Sequence, residues 1–298
     1  MTGLSALIRR NCKLFFKDKG MFFTSLITPV ILLVLYVTFL GNVYKSSFTS
    51  AMPEGFAVPD SLIGATVGGQ LISSLLAVCC VTVAFCSNLL MVNDKITGSR
   101  RDLTMTPVKA PVLALGYYAA TFISTLLICF VAAGMCFAYL AFTGWYMSAA
   151  DAALLLLDIV LLVLFGTALS SIVSYPLTTA GQASAVGTVV SAGYGFICGA
   201  YMPISNFSDT LQKVLSFLPG TYGTCLLRNH AMRGAYAEMK AQGIPSEIIE
   251  AIRDSIDCNL YFFGNKVGTG TMYAILGGSV LLLIGIYVLM NLRSKARS

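Results

Sequence analysis

Charged side chains are scarce in this sequence of 298 residues: Asp, Glu, Lys and Arg account for 11% of it, and 57% is hydrophobic. Soluble domains carry about a quarter of their residues as charged side chains, so the composition excludes an ordinary soluble protein. The sequence also contains no G-x-x-x-x-G-K-[ST] phosphate loop. This absence excludes ATP hydrolysis by that route within the chain.

Residues that carry catalysis or bind metals are equally sparse. The one histidine, His230, has no Ser, Cys and acid arrangement that can be assigned to it, which favours a surface or capping role over catalysis. The nine cysteines include no C-x-x-C pair and no metal-ligand spacing. Most lie in apolar runs, where a free cysteine behaves as a small apolar residue. Cys225 and Cys258 both belong to the region predicted to be external, where a disulfide and two free thiols are both open.

Long apolar runs are what the sequence has instead. Six of them are long enough to cross a hydrocarbon core as helices, and they cover residues 22–40, 62–91, 112–142, 152–173, 181–202 and 272–292. The predicted fold is therefore an all-α membrane protein with six transmembrane helices in a single domain, residues 1–298. The segment 41–61, which contains Pro53, Gly55 and Pro59, is predicted to be an external loop.

The N-terminal segment, residues 1–20, has helical spacing of apolar residues with a basic polar face that includes Arg9 and Lys13. This pattern predicts a helix that lies in the cytoplasmic interface of the membrane. A signal peptide is the alternative, but the apolar run begins late, is too long and lacks a small-residue cleavage site.

A polar interruption at residues 93–111 separates the second and third apolar runs. Short loops rich in Lys and Arg lie on the cytoplasmic side of membranes, which places this loop and both chain termini there. That topology puts 12 of the 19 basic residues inside: Arg9, Arg10, Lys13, Lys17, Lys19, Lys95, Arg100, Arg101, Lys109, Arg293, Lys295 and Arg297. The net charge of +6 is thus a sign of topology in a multi-pass protein of the cytoplasmic membrane, and it does not imply a nucleic-acid partner.

Within this loop, Gly98 offers a turn, Ser99 a helix cap, and residues 100–105 a short helix that Pro107 ends. Spacing alone leaves two interpretations open, a solvated loop or a docking element for a cytosolic partner. The order of an acidic-basic pair, a glycine, a charged turn with a leucine and a proline resembles the first cytoplasmic loop of the ABC type-2 permeases. The resemblance implies a coupling helix that fits a groove of a separate ATPase, formed by Asp94, Lys95, Gly98, Ser99, Arg100, Arg101, Asp102 and Leu103.

A second informative region is residues 203–228. A short apolar helix follows the fifth run and is broken before a second apolar piece, and neither piece can span a bilayer. A broken helical hairpin that enters the outer leaflet and returns is predicted, because it satisfies its backbone internally. The region also resembles the external re-entrant hairpin of the same family, at Pro203, Leu211, Gln212, Leu218, Pro219, Tyr222 and Arg228.

The chain turns polar at residues 229–270, which predicts an external cap. Pro245 begins an amphipathic helix in which isoleucines share one side: Ile248, Ile249, Ile252 and Ile256. The cap either shapes an exit for substrate or lengthens a connection.

One carboxylate, Asp158, lies inside the fourth apolar run, seven residues after Asp151. A charge at that depth is costly and indicates function by default. The open alternatives are a contact with a cationic substrate or a proton-sensitive site, and a structural bond to a neighbouring helix or to the hairpin, for example to Arg228.

The resemblance also implies an assembly. Two permease chains, as a homodimer or a related heterodimer, combine with two ATPase chains that bind ATP and Mg²⁺, and this chain itself needs no cofactor. The substrate pathway is implied to lie between the permeases along the second and fifth spans. The candidate lining residues are Phe85, Asn88, Asp158, Tyr194, Phe196 and Tyr201.

The expected function is therefore ATP-driven export of an amphipathic drug, toxin or lipid-like compound, since the chain looks most like multidrug and haemolysin export permeases. Export of a polysaccharide or glycolipid by the same fold is the alternative. An intramembrane enzyme with Asp158 and His230 as acid and base is disfavoured by their separation in sequence and by the lack of a third partner. A passive channel is disfavoured because it calls for a ring of polar pore residues.

Overall fold

A computed structural model of the chain describes residues 3–51, 59–106 and 108–295, and these residues are almost entirely helical. The helices are α1 (Gly3–Lys17), α2 (Lys19–Leu35), α3 (Gly41–Ala51), α4 (Asp60–Ile96), α5 (Ser99–Met105), α6 (Ala110–Thr143), α7 (Ala149–Ser174), α8 (Ala180–Ile197), α9 (Asp209–Leu215), α10 (Pro219–Ala241), α11 (Ser246–Ser255) and α12 (Thr269–Lys295). A π-helical turn, Tyr36–Leu40, joins α2 to α3, and a 3₁₀ turn, Ile204–Asn206, precedes α9. Two short antiparallel strands, β1 (Tyr261–Phe262) and β2 (Asn265–Lys266), precede α12.

Within the described ranges, four helices are long and apolar enough to cross a membrane: α4, α6, α7 and the Thr269–Leu292 part of α12. The pair α1 and α2, bent by 74° at their junction, forms a fifth candidate. The prediction of an all-α membrane protein is thereby confirmed. The predicted fifth run corresponds to α8, which is 18 residues long and is not among these candidates.

Helix α4 is the centre of the bundle. Its 37 residues extend for roughly 55 Å, well beyond the roughly 30 Å of a hydrocarbon core. Helices α2, α6, α7, α8 and α10 all pack against it, and the side chains from Leu75 to Val81 are fully or almost fully buried. Because α4 ends at the loop predicted to dock a partner, it connects that loop to the middle of the bundle.

Two predicted boundaries differ from the structure. The expected loop at 41–61 begins with α3, because the loop-forming residues Pro53 and Gly55 come later; these two residues, like Pro107, lie outside the described residues. Helix α10 runs without a break through Arg228 to Ala241, so the expected boundary between hairpin and cap falls inside one helix. The polar residues that suggested a boundary there, Asn229 and His230, are bonded to other parts of the chain.

Helix α10 runs antiparallel to α7. Gly223 lies against Leu162, His230 against Asp158, and Arg233 against Asp151. Leu162 is roughly 16 Å of helical rise along α7 from Asp151. The first turn of α10 therefore lies beside the middle of α7.

The predicted amphipathic helix of the cap is confirmed as α11. Ile249 is buried, and Ile248, Ile252 and Ile256 pack against the same apolar cluster, which includes Leu62 and other residues of α4 and α10. The strand pair β1–β2 was not predicted from sequence. Lys266 of β2 bonds to Glu250 of α11 at 3.0 Å, and this ammonium holds the pKa of the Glu250 carboxyl below its ordinary value.

Cys225 and Cys258 are free thiols in this structure. The Cys225 thiol donates to the Cys258 carbonyl oxygen at 3.3 Å, and the Cys258 sulfur lies 3.5 Å from the Tyr236 hydroxyl. Burial raises the pKa of the Cys258 thiol to about 11, which keeps it protonated at neutral pH.

Replacing Gly234 by Ala is expected to destabilise the fold by about 1–3 kcal/mol or more. A Cβ atom there would lie 1.8 Å from the Tyr146 carbonyl oxygen and 2.6 Å from its carbon, so α10 would have to move away from the α6–α7 connection. The measurement is the thermal midpoint of the purified protein in detergent. Gly278→Ala in α12 is the matched control, because nothing lies within 4 Å of its Cβ position and Ala is the better helix former. Equal midpoints for the two variants would contradict the packing described.

Candidate functional site

The loop after α4 turns sharply into α5. Gly98 adopts a left-handed conformation, with φ of 81°, and stands as the N-cap of α5. A residue with a Cβ is strained at such an angle, which explains glycine here. The short helix predicted for residues 100–105 is confirmed, but Ser99 is its first residue and not its cap. The Ser99 hydroxyl lies 3.1 Å from that of Thr97.

One face of α5 is free. Arg101, Asp102 and Met105 are exposed, and the Met105 side chain is 81% exposed. In the part of the chain that the structure describes, neither Arg101 nor Asp102 has an ion-pair partner. This outward face is available to another protein.

The other face of α5 is attached to the bundle. Arg100 donates to the Asn291 amide oxygen of α12 at 3.3 Å, and its guanidinium lies 5.5 Å from the centroid of the Tyr175 ring. Leu103 is half-buried against an apolar cluster that includes Met91 and Leu113. Of the predicted coupling residues, Arg100 and Leu103 therefore attach the helix, whereas Arg101 and Asp102 face outward.

Lys95, at the end of α4, closes the C-terminus of α7. Its ammonium group donates to the carbonyl oxygens of Ser174 at 3.3 Å, of Leu177 at 3.0 Å and of Tyr175. A cation at the carbonyl end of a helix is favourable and satisfies groups that the helix leaves unpaired. The Tyr175 hydroxyl in turn donates to the Met290 carbonyl oxygen at 3.0 Å. Lys95 thus joins α4 to α7 and, through Tyr175, to α12.

Asp94 joins α4 to α1 and α6. Arg10 donates to both of its carboxylate oxygens, at 2.7 and 3.0 Å, and the Tyr117 hydroxyl donates at 2.6 Å. The Asp94 side chain is almost fully buried, and a bidentate arginine pair is both strong and geometrically specific. Sequence reasoning identified Asp94 and Lys95 but missed Arg10, Tyr117, Tyr175 and Asn291 as partners. Nothing in the local pattern distinguishes these residues from their neighbours.

An open groove lies between α2, α4 and α8. Its volume is about 680 Å³. None of the residues around it is charged. Five are polar, Thr24, Asn93, Ser184, Thr188 and Ser191, and the others are small or apolar: Ile27, Cys86, Leu89, Ala180, Ala183, Gly187 and Ala192. Such a groove is suited to an apolar or amphipathic molecule.

Most of the predicted lining residues lie inside this chain. Phe85, Asn88, Asp158 and Tyr194 are buried between helices of this chain, and none of them faces the groove. The Asn88 amide oxygen accepts from the Thr121 hydroxyl of α6 at 3.4 Å, so this side chain points to α6 rather than to the groove.

Phe196 and Tyr201 remain near the surface of the chain. The Phe196 side chain is 51% exposed, and its ring lies 5.2 Å from that of the half-buried Tyr201. The Tyr201 hydroxyl donates at 3.3 Å to the carbonyl oxygen of Ser191, which lines the groove. These two aromatic side chains are therefore close to the groove without being part of its lining.

The segment predicted as a hairpin satisfies its own backbone. The Tyr222 hydroxyl donates to the Ser216 carbonyl oxygen at 2.5 Å, and the Thr221 hydroxyl donates to that of Leu215 at 3.0 Å. The Gln212 amide donates to the carbonyl oxygens of Ser205 and Phe207 at 3.2 and 2.8 Å. Pro219 occupies the first turn of α10, Pro203 is buried before the 3₁₀ turn, and Leu211 and Leu218 are exposed.

Arg228 holds four segments together. It bonds Asp257 after α11 at 3.2 Å, Ser74 of α4 at 3.3 Å and the Gly199 carbonyl oxygen after α8. Asp257 also accepts from the backbone N–H groups of Ile204 at 2.5 Å and Ser205 at 3.1 Å. Arg228 is only 1% exposed, so this ion pair is buried.

The intramembrane carboxylate Asp158 is bonded to His230 and not to Arg228. Its Oδ2 atom lies 2.5 Å from His230 Nδ1, and its Oδ1 atom accepts from the Tyr273 hydroxyl at 2.6 Å. His230 is buried, which corrects the expected surface position. Asp158 and His230 are far apart in the sequence, but the fold brings their side chains into contact. This arrangement joins α7, α10 and α12, and the Asp158 side chain has no exposed surface in this chain.

A family model described as ABC-2 type transporter matches residues 2–230 of the chain. The matched range begins before α1 and contains α5, the groove and the segment up to His230. A comparison with curated proteins gives no match.

Proposed function

Because the chain belongs to the ABC-2 type transporter family, we propose that it is the permease subunit of an ATP-driven exporter. Membership makes it a multi-pass transport subunit of a membrane, and it implies an ABC ATPase as a separate partner. The exporting direction, the cytoplasmic membrane as its location and the identity of the cargo belong to the proposal.

The proposal rests on the two different faces of α5. The exposed face with Arg101, Asp102 and Met105 docks the ATPase, and the attached face with Arg100 and Leu103 keeps α5 fixed to the bundle. Asp94, Lys95 and the Gly98–Ser99 turn complete the coupling element. Through Asp94 and Lys95, a movement of the loop reaches α1, α6 and α7 as well as α4.

The proposed assembly contains two permease chains and two ATPase chains, and the latter bind ATP and Mg²⁺. Six spans are formed by α2 with its continuation, α4, α6, α7, α8 and α12, with both termini on the cytoplasmic side. The basic side chains exposed on α1 and α5 support this orientation.

The α9–α10 segment is proposed to be a re-entrant hairpin at the opposite side of the membrane. Two observations support it: α10 begins beside the middle of α7, and side-chain hydroxyls satisfy the carbonyl oxygens at the turn. Irregular backbone at membrane depth requires that kind of internal pairing.

The cargo is proposed to be an amphipathic drug, toxin or lipid-like compound. The uncharged groove between α2, α4 and α8, which combines apolar with hydroxyl and amide side chains, supports an amphipathic cargo. In the assembled dimer, Phe196 and Tyr201 lie along the route from this groove.

The test is co-purification of the chain with a co-expressed ABC ATPase subunit, followed by ATPase assays in lipid. Arg101→Glu and Met105→Asp are each expected to weaken the association about tenfold or more, because a reversed or buried charge at an interface costs about 1–3 kcal/mol. The control, Lys266→Glu, changes an exposed charge of β2 at the far end of the bundle and is expected to leave the complex intact. Full association of both α5 variants would contradict the docking face.

A further inference from the structure

Helix α1 presents three parallel lines of side chains, each with a spacing of four residues. The first line is buried against the bundle and consists of Leu7, Asn11 and Phe15. Successive residues of a helix point about 100° apart. The second line, one residue further on, therefore points sideways from the bundle, and the third points away from it.

The second line is apolar and lies on the side where α2 rises. Its residues are Ile8, Cys12 and Phe16, and the Phe16 side chain is 40% exposed. The Phe16 ring lies 6.0 Å from the ring of Phe22 in α2. Because α2 is bent by 74° from α1, α1 runs close to the plane of the membrane that α2 enters. The exposed end of this line, Phe16, therefore faces the hydrocarbon of that leaflet, whereas the Cys12 thiol donates to the Ala120 carbonyl oxygen of α6 at 3.8 Å.

The third line is basic: Arg9, Lys13 and Lys17 are all exposed. Over the described parts of the chain, no carboxylate forms an ion pair with any of the three. The nearest acidic residue in sequence, Asp18, caps α2 through its bond to the Met21 N–H. The three positive charges therefore extend over roughly 12 Å of helix with no carboxylate partner among the described residues.

We propose that the line Arg9–Lys13–Lys17 binds the phosphate groups of anionic phospholipids in the leaflet against which α1 lies. An apolar line beside a basic line, on a helix parallel to the membrane, is the arrangement by which interfacial helices bind anionic lipid. The lipid fixes α1, and α1 holds Asp94 at the base of α4 through Arg10.

Anionic lipid fits this face better than the ATPase does. The basic line ends at Lys17, directly before the bend into α2, and the neighbouring Phe16 ring lies 6.0 Å from that of Phe22, so its charges lie next to the leaflet that α2 enters. The basic side chains reach headgroup level from that position by extending away from the hydrocarbon.

The experiment uses the full chain without any ATPase, in mixed micelles of phosphatidylcholine and phosphatidylglycerol, with bound lipid counted by native mass spectrometry. Wild type is expected to retain phosphatidylglycerol preferentially. In the triple variant Arg9→Gln, Lys13→Gln, Lys17→Gln, the ratio of bound phosphatidylglycerol to phosphatidylcholine is expected to fall at least about fivefold. This is the effect of losing one basic side chain at an anionic surface, so it is a lower bound for three. A variant with Arg9→Lys, Lys13→Arg and Lys17→Arg keeps the preference.

The control removes the same net charge elsewhere, from three exposed lysines: Lys213, Lys240 and Lys266, each changed to Gln. It is expected to behave as wild type. The proposal is overturned if wild type shows no preference, or if the control loses as much preference as the α1 variant. It is also overturned if the α1 variant keeps its lipid preference and instead loses co-purification with the ATPase, which would make this line a protein-docking face.

Discussion

Arg228→Met is expected to lower the free energy of unfolding by about 3–5 kcal/mol, because it removes one partner of a buried ion pair. The guanidinium is buried and bonded to Asp257, Ser74 and Gly199. Removing it leaves the Asp257 carboxylate buried without a positive partner. It also releases the connection of α10 to α4 and to the segments after α8 and α11.

The measurement is reversible unfolding in mixed micelles, with Lys266→Gln as the control. The Lys266–Glu250 pair is about half exposed on both sides, and such pairs contribute about 0–1 kcal/mol. Adding Asp257→Asn to Arg228→Met removes the uncompensated charge and is expected to restore part of the loss. If Arg228→Met costs no more than Lys266→Gln, the buried pair does not hold these segments together.

Asp94→Asn is expected to separate docking from transmission, with at least a tenfold loss of ATP-dependent transport and unchanged binding of the ATPase. The substitution removes the charge that Arg10 bonds at two points, while the Tyr117 hydroxyl keeps an acceptor. The exposed face of α5 is not altered, so the partner still binds. A tenfold loss corresponds to about 1.4 kcal/mol of coupling between loop and bundle, within the usual range.

The control for Asp94→Asn is Asp60→Asn at the other end of α4, where the carboxylate pairs with Lys45 and its side chain is 85% exposed. Transport by this variant is expected to match wild type. If Asp94→Asn transports normally, or if it releases the ATPase, the division between a docking face and an inner attachment is wrong.

The sequence predicted the helices better than their faces. Length and hydropathy are properties of a segment, so the apolar runs of α4, α6, α7 and α12 and the isoleucines of α11 were recognised. The side of α4 that is open depends on which helices surround it. Phe85 and Asn88 were expected to line a pathway, whereas Cys86 and Leu89, one residue further on, face the groove.

Long-range polar pairs could not be predicted for a related reason. Asp158 was recognised as an unusual charge, but the sequence could not show that α10 runs antiparallel to α7 and brings His230 to it. Arg228 and Asp257 are likewise distant in sequence and form an ion pair in the fold. A polar residue looks like a boundary or a surface position until its partner is known, which is also why α10 seemed to end at Arg228.

In the coupling loop, the sequence predicted the short helix but not the partners of its charged side chains. Its charge and its turn signals located the short helix, because Gly98 constrains the backbone locally. The sequence assigned one coupling role to all of its charged residues. In the structure, Asp94, Lys95 and Arg100 bond to the bundle, whereas Arg101 and Asp102 form no side-chain bond to it among the described residues.

The most direct measurement is photo-crosslinking from position 105 in the assembled complex. A benzophenone amino acid replaces Met105, which is 81% exposed on α5, and a second variant carries it at Phe263, which is exposed on the turn between β1 and β2. Docking on α5 predicts a covalent adduct with the ATPase from position 105 and none from position 263. An adduct from position 263, or none from either position in a complex that retains the ATPase, would contradict it.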